Sequence, residues 1–141
     1  MADAIISATI VNAGEAEGSV LALDAPLSFW GGFDPRTGKI LDVHHPQRGL
    51  SLAGVILLMR EAKGSGSAPG AIAEAIRLGT APAAIILVTP DVNLAIGAQV
   101  AETLYGKACP VLSVNARDFE ILRGAAKLRI SHRGAILAKD V

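Results

Sequence analysis

Residues 51–91 read SLAGVILLMREAKGSGSAPGAIAEAIRLGTAPAAIILVTPD, and the architecture follows from how this run is punctuated. Leu52–Met59 is apolar over most of its length and predicts a strand. It leads into a Gly/Ser-rich loop, Lys63-Gly64-Ser65-Gly66-Ser67-Ala68-Pro69-Gly70. Ala71–Leu78 then has helix-forming composition, with Ile72, Ala75 and Ile76 on one face and Glu74 and Arg77 elsewhere. Gly79 is a natural stop, because glycine readily takes the left-handed conformation that closes helices. Ala83–Val88 is a continuous apolar run, as expected of a parallel strand covered on both faces. The unit is strand, helix, strand.

The pattern continues toward the C-terminus. Leu94–Leu104 predicts a second helix closed by Gly106, and Pro110–Val114 another strand. Asp118–Leu122 predicts a third helix or turn, between Asn115 and Gly124. Lys127–Ser131 and Ala135–Ala138 suggest a closing hairpin around His132-Arg133-Gly134. On the other side, Ala4–Val11, Gly18–Leu23 and Ile40–Val43 predict strands separated by breakers: Pro26, Gly31-Gly32, Asp34-Pro35, Gly38 and His45-Pro46. The expected class is α/β. A β-rich first half, a small barrel or folded sheet with long loops, precedes a β-α-β-α-β second half. At 141 residues the expectation is one domain over 1–141.

Composition narrows the function. Hydrophobic residues make up 51% of the chain, which excludes disorder for its bulk. Thirteen Lys plus Arg balance thirteen Asp plus Glu, so a general electrostatic grip on nucleic acid or an anionic membrane is not expected. The single cysteine, Cys109, permits no internal disulfide and no cysteine metal cage. Val55–Met59 and Ala83–Val88, the longest apolar runs, are far below the ~20 residues of a spanning helix. No basic segment precedes an apolar run at the start, so no signal peptide is expected, and a reducing, cytoplasmic setting fits.

Four segments could carry chemistry. Pro26–Pro35 holds the only Trp and two of the three Phe. Phe29 and Trp30 either fold the loop back onto the core or anchor a partner. Asp42-Val43-His44-His45-Pro46 suggests a metal, but adjacent strand side chains point opposite ways, and a polar turn with one hydrogen-bonded His is the better reading. His132 stands alone. Lys63–Gly70 places Gly and Ser at a helix entrance, where free N–H groups and the helix dipole receive a phosphate or carboxylate. The Walker order is absent. A serine here is either an N-cap or, beside Lys63, an activated base. Asp91, after Thr89-Pro90, reads first as the N-cap of the next helix, with a ligand-site role at the strand end as the alternative.

Together these segments resemble the small, swivel-domain subunit of aconitase X. The resemblance rests on Gly18…Leu23, Pro26-Leu27-Ser28-Phe29-Trp30-Gly31-Gly32-Phe33-Asp34-Pro35-x-Thr37-Gly38-x-Ile40-x-Asp42, His45-Pro46-x-x-Gly49, Lys63-Gly64-Ser65-x-Ser67, Gly97 and Leu104-Tyr105-Gly106. Ala62 stands where that family has Gly, and Gly66 where it often has Ser or Thr. The resemblance implies the swivelling β/β/α domain found at the aconitase C-terminus. It implies a dehydratase that works with a separate large subunit carrying iron or an Fe–S cluster, with no cofactor or metal in this chain. Ser65 would be the general base, Lys63, Gly64, Gly66 and Ser67 would bind substrate, and Phe29 and Trp30 would pack on the large subunit. The segments Ser28–Gly32, His44–Gly49 and Arg77–Pro82 are most similar to the bacterial cis-3-hydroxy-L-proline type. A mevalonate 5-phosphate dehydratase small subunit, or a non-catalytic small-anion-binding swivel domain, remain as alternatives.

Overall fold

A computed structural model of the chain describes residues 3–139. Eleven elements follow one another: β1 (Ala4–Ser7), β2 (Thr9–Asn12), β3 (Ala16–Ala22), β4 (Ile56–Leu58), α1 (Ala68–Leu78), β5 (Ala84–Leu87), α2 (Val92–Tyr105), β6 (Val111–Ser113), α3 (Ala116–Arg123), β7 (Lys127–Ile130) and β8 (Ala135–Lys139). The strands form one mixed sheet in the order β1-β8-β7-β3-β4-β5-β6-β2. Strands β3, β4, β5 and β6 run parallel, and the two flanks are antiparallel. Only Ala8 separates β1 from β2, although they lie at opposite ends of that order. The chain therefore crosses at Ala8 from one end of the strand order to the other, so these two ends lie close together there.

The continuous apolar run of β5 is explained by what covers it. Ile85 and Leu87 face one core, with Leu57, Val111 and the inner faces of α1 and α2. Ala84 and Ile86 face the other, with Ile56, Leu58, Leu112 and the α3 side chains Phe119 and Leu122. A strand between two apolar layers has no side to leave polar. Strand β7 has one wet face and alternates instead: Leu128 and Ile130 are buried, Lys127 and Arg129 exposed. Helices α1, α2 and α3 lie where the sequence predicts them. Gly79 and Gly106 end α1 and α2 in the left-handed conformation at φ 78° and 68°. No helix among the described residues is long and apolar enough to cross a membrane.

The first half is less regular than its sequence suggests. Ala4–Val11 is not one strand: the Ala8 N–H bonds to the Gly134 carbonyl and the pieces on either side pair with different strands. Ile40–Val43 is not a strand either. The N–H groups of Leu41 and Asp42 both point at the Gly32 carbonyl, so no ladder forms, and only isolated bridges Phe33↔Ile40 and Lys39↔Ser51 remain. Leu52–Met59 is interrupted by a turn at Gly54 (φ 73°), which shortens the strand to Ile56–Leu58.

Residues 23–55 thus form a long irregular cover over the α1 side of the sheet. Leu23, Leu27, Phe29, Phe33, Ile40 and Leu52 sink into the core, each almost wholly out of water. A buried side chain of this size contributes about 1.5–3 kcal/mol. Polar staples hold the rest. Gln47 donates Nε2–H to the Ala22 carbonyl (2.9 Å) and accepts the Asp24 N–H at Oε1 (2.8 Å). The Thr80 hydroxyl donates to the Pro35 carbonyl. Gly38, at φ 77°, lies so close to that crossing that a Cβ would stand 2.7 Å from the Thr80 carbonyl oxygen.

Candidate functional site

The parallel strands β3, β4 and β5 end at Ala22, Leu58 and Leu87, and the loops that leave them gather on one edge of the sheet. Ligands in open α/β sheets collect at this edge. Backbone hydrogen bonds continue past the strands and fix the loop stems: Leu23 N–H to Leu58 O at 2.8 Å, Met59 N–H to Ile86 O at 3.2 Å, and Val88 and Thr89 N–H to Arg60 O at 2.9 Å. The Lys63–Ser67 loop rises from the β4 stem and turns into α1.

Ser65 is half-buried. Its Oγ accepts the Ser67 N–H at 3.2 Å. Its carbonyl accepts the Ala68 N–H (3.2 Å) and the side-chain Nδ2–H of Asn93 on α2 (3.2 Å). The hydroxyl therefore stands at the entrance of an eleven-residue helix, on an N–H donor that favours negative charge on oxygen. Ser67 is the N-cap residue of α1, with no side-chain capping bond. A Cβ built on Gly64 or on Gly66 meets nothing within 4 Å, and neither residue has a positive φ. The chain itself therefore does not require glycine at either position.

Lys63 is held from two sides: its N–H bonds to Leu27 O at 3.1 Å and its Nζ lies 3.6 Å from Asp42 Oδ2. Lys63 forms its ion pair with Asp42, and the polar contacts of Ser65 run to backbone and to Asn93. The His44 N–H donated to Asp42 Oδ1 (2.9 Å) holds the Asp42 carboxyl below its ordinary 3.8, partial desolvation opposes this, and Lys63 adds to the lowering.

The aromatic loop divides its rings. Phe29 is 1% exposed and lies 5.0 Å from Phe33, ring centre to ring centre, so its assignment to a partner interface is corrected: it is a core residue. Trp30 is 63% exposed. A cavity of about 460 Å³, lined by Trp30, Gly31, Pro35, Gly70, Ala71 and Glu74 among others, opens between this loop and the first turn of α1. A larger one of about 570 Å³ lies on the antiparallel strands, lined by Ile5, Glu17 and Arg129 among others, and includes none of the site residues.

His45 is buried and occupied in its own loop. Nδ1 accepts the Gln47 N–H (3.0 Å), so Nε2 carries the hydrogen and donates to the Ala25 carbonyl (3.0 Å). His44 and His132 are exposed. Asp91 caps α2 by accepting the Leu94 N–H at 3.1 Å. Among the described residues, no three or more His, Cys, Asp or Glu side chains group as metal ligands. The Cys109 thiol is buried against the Pro82 carbonyl, and burial pushes it up to about 12. The donor set of this chain does not fit an iron–sulfur cluster, which takes several thiolates.

Sequence reasoning missed Asn93 and Gln47. Asn93 was visible only as a polar residue early in the α2 segment; its partner lies 28 residues away.

Residues 5–138 match the family model described as the aconitase X swivel domain. The chain is 43% identical over 117 residues to the cis-3-hydroxy-L-proline dehydratase of Pseudomonas aeruginosa, an alignment covering 83% of this chain and 20% of that protein. It is 38% identical over 96 residues to the phosphomevalonate dehydratase small subunit of Methanothermobacter thermautotrophicus, covering 68% of this chain and 73% of that one. The crystal structure of Thermococcus kodakaraensis aconitase X in its holo-form superposes with a TM-score of 0.81 at 28% identity, covering 97% of this chain and 99% of that chain. The chain spans about a fifth of the length of the hydroxyproline dehydratase it matches.

Proposed function

The chain belongs to the aconitase X swivel-domain family, and from that premise we propose that it is the small subunit of a hydro-lyase that dehydrates cis-3-hydroxy-L-proline. The substrate follows the relative that is 43% identical over most of this chain. The observation that carries the chemistry is the half-buried Ser65 hydroxyl, seated at the α1 entrance on the Ser67 N–H.

In this reading Ser65 Oγ removes the proton from the carbon next to the substrate carboxylate. The electron pair left on that carbon forms the new double bond as the hydroxyl departs from the neighbouring carbon as hydroxide, and that hydroxide with the proton taken by Ser65 makes up the water released. The oxygen of a serine is a base only when its negative charge is stabilised, and the Ser67 N–H and the positive end of α1 act in that direction. Gly64 and Gly66 leave open space beside it, which a substrate carboxylate would fill, and Lys63 and Ser67 line the same loop. Asp42 holds the Lys63 side chain in place.

The partner is a large subunit equivalent to the remaining four-fifths of the Pseudomonas aeruginosa protein. It would carry the iron or Fe–S cluster; among the described residues of this chain no three His, Cys, Asp or Glu side chains group as ligands. Trp30, exposed at the rim of the cavity beside α1, is the anchor this chain offers. The single cysteine, a buried free thiol, fits a reducing, cytoplasmic setting.

The test is dehydration by the chain alone and with its large partner. The reading predicts no turnover alone and turnover of cis-3-hydroxy-L-proline in the complex. Turnover of mevalonate 5-phosphate instead would assign the chain to the phosphomevalonate type. Tight carboxylate binding by the isolated chain, with no turnover in the complex, would make it an anion-binding domain.

A further inference from the structure

Asn93 occupies the second residue of α2, after the cap Asp91 and Val92. Helix physics favours a carboxylate there, because the first turn carries the positive end of the dipole. Yet the first turn of α2 has no acidic residue. What Asn has and Asp lacks is a donor, and that donor is used: Nδ2–H reaches the Ser65 carbonyl at 3.2 Å, from a half-buried position. A carboxylate in its place would face a carbonyl oxygen and repel it.

The consequence falls on Ser65. Its carbonyl receives two hydrogens, from the Ala68 N–H and from Asn93, and so uses both lone pairs. That fixes the peptide plane following Ser65. The residues on either side, Gly64 and Gly66, have no side chain to pack, and a Cβ built on either would meet nothing within 4 Å. Among the described residues, the bond from α2 is the one side-chain hydrogen bond to the Ser65 backbone, and it ties the loop to a second, rigid element.

We propose that Asn93 is a positioning residue for Ser65, holding its hydroxyl in the orientation from which it takes the substrate proton. The inference rests on the reading of Ser65 as the base. It places no chemistry on Asn93 itself, which does not touch the hydroxyl.

The test uses the complex of this chain with its large partner, assayed on cis-3-hydroxy-L-proline. Asn93→Asp is the decisive variant, since it keeps the side-chain shape and suits the helix dipole while removing the donor. We expect kcat to fall about tenfold to a hundredfold, KM to stay within about threefold, and the melting temperature of the chain to hold or rise. Asn93→Ala should lose kcat to a similar extent. A kcat within about twofold of wild type in both variants, with Ser65→Ala inactive, overturns the proposal and leaves the base intact. Normal turnover by Ser65→Ala removes the base, and the role of Asn93 with it. A kcat loss that only tracks a large fall in melting temperature makes Asn93 a structural residue and overturns the proposal as well.

Discussion

Gly97 of α2 lies directly on Pro69 in the first turn of α1: a Cβ on Gly97 would stand 2.6 Å from the Pro69 carbonyl oxygen and 2.8 Å from its Cα. The same Cβ would be 2.2 Å from Ile72 Cγ2. Two of these neighbours are backbone and cannot turn aside, so α2 approaches the α1 entrance this closely only with glycine at 97. Asn93, one helical turn earlier, reaches Ser65 from the same face. Gly97→Ala should destabilise the chain by about 1–3 kcal/mol through overpacking. It should also displace the Ser65 loop, so activity should fall by more than the stability loss accounts for. Thermal unfolding and steady-state kinetics on the same preparation measure both.

Phe29 and Trp30 are neighbours with opposite fates, one in the core and one in water. Phe29→Ala should cost about 3–5 kcal/mol of folding stability, the usual cost of emptying a buried ring site. Trp30→Ala should leave stability almost unchanged and weaken association with the large subunit by about tenfold or more, as expected of an aromatic anchor. Denaturant unfolding of the isolated chain and titration of the partner separate the two effects. Equal stability losses in both variants would contradict the division.

The open space beside Gly64 and Gly66 gives a stability effect and an activity effect of opposite sign. With negative φ available and no neighbour to strike, Gly66→Ala should stabilise the isolated chain by about 0.4–1 kcal/mol, because the unfolded chain loses freedom. The added methyl group stands where the substrate is proposed to bind, so kcat/KM should fall, by about tenfold. Full activity in Gly66→Ala would place the substrate elsewhere.

Acid should loosen the site loop through Asp42. The His44 N–H and Lys63 hold its carboxyl below the ordinary 3.8 against the opposing desolvation. A group whose value is lowered on folding contributes stability above its unfolded value and loses that contribution as pH falls through the folded one. The contribution is therefore complete above about pH 3.8 and disappears on further acidification. The melting temperature of Asp42→Asn should lie below that of the wild type at neutral pH and converge on it in acid. A gap that persists unchanged at the lowest pH would show that the charge plays no part.

The parallel core and all three helices were legible because their signals are local. β5 is apolar throughout since both faces are covered, and Gly79, Asp91, Gly106 and Asn115 mark helix ends by their own conformations or side chains. Residues 23–55 were not legible in the same way. Ile40–Val43 has the composition of a strand, but its N–H groups are drawn to a carbonyl at Gly32, and nothing local announces that. The break at Ala8 is imposed by Gly134, far along the chain. The site shows the same division. Ser65 and its glycines stand out as a loop before a helix, whereas the sequence leaves open whether Trp30 folds onto the core or stays exposed. The burial of Phe29, the pairing of Lys63 with Asp42 and the bond from Asn93 are tertiary facts with no counterpart in spacing.

The most direct test is the turnover of the two-chain complex carrying Ser65→Ala, with association of the chains measured alongside. If the Ser65 hydroxyl takes the proton, dehydration of cis-3-hydroxy-L-proline falls by about a hundredfold to ten-thousandfold while the complex forms as before. A rate within a few-fold of the wild type, in a complex of normal affinity, would contradict the account.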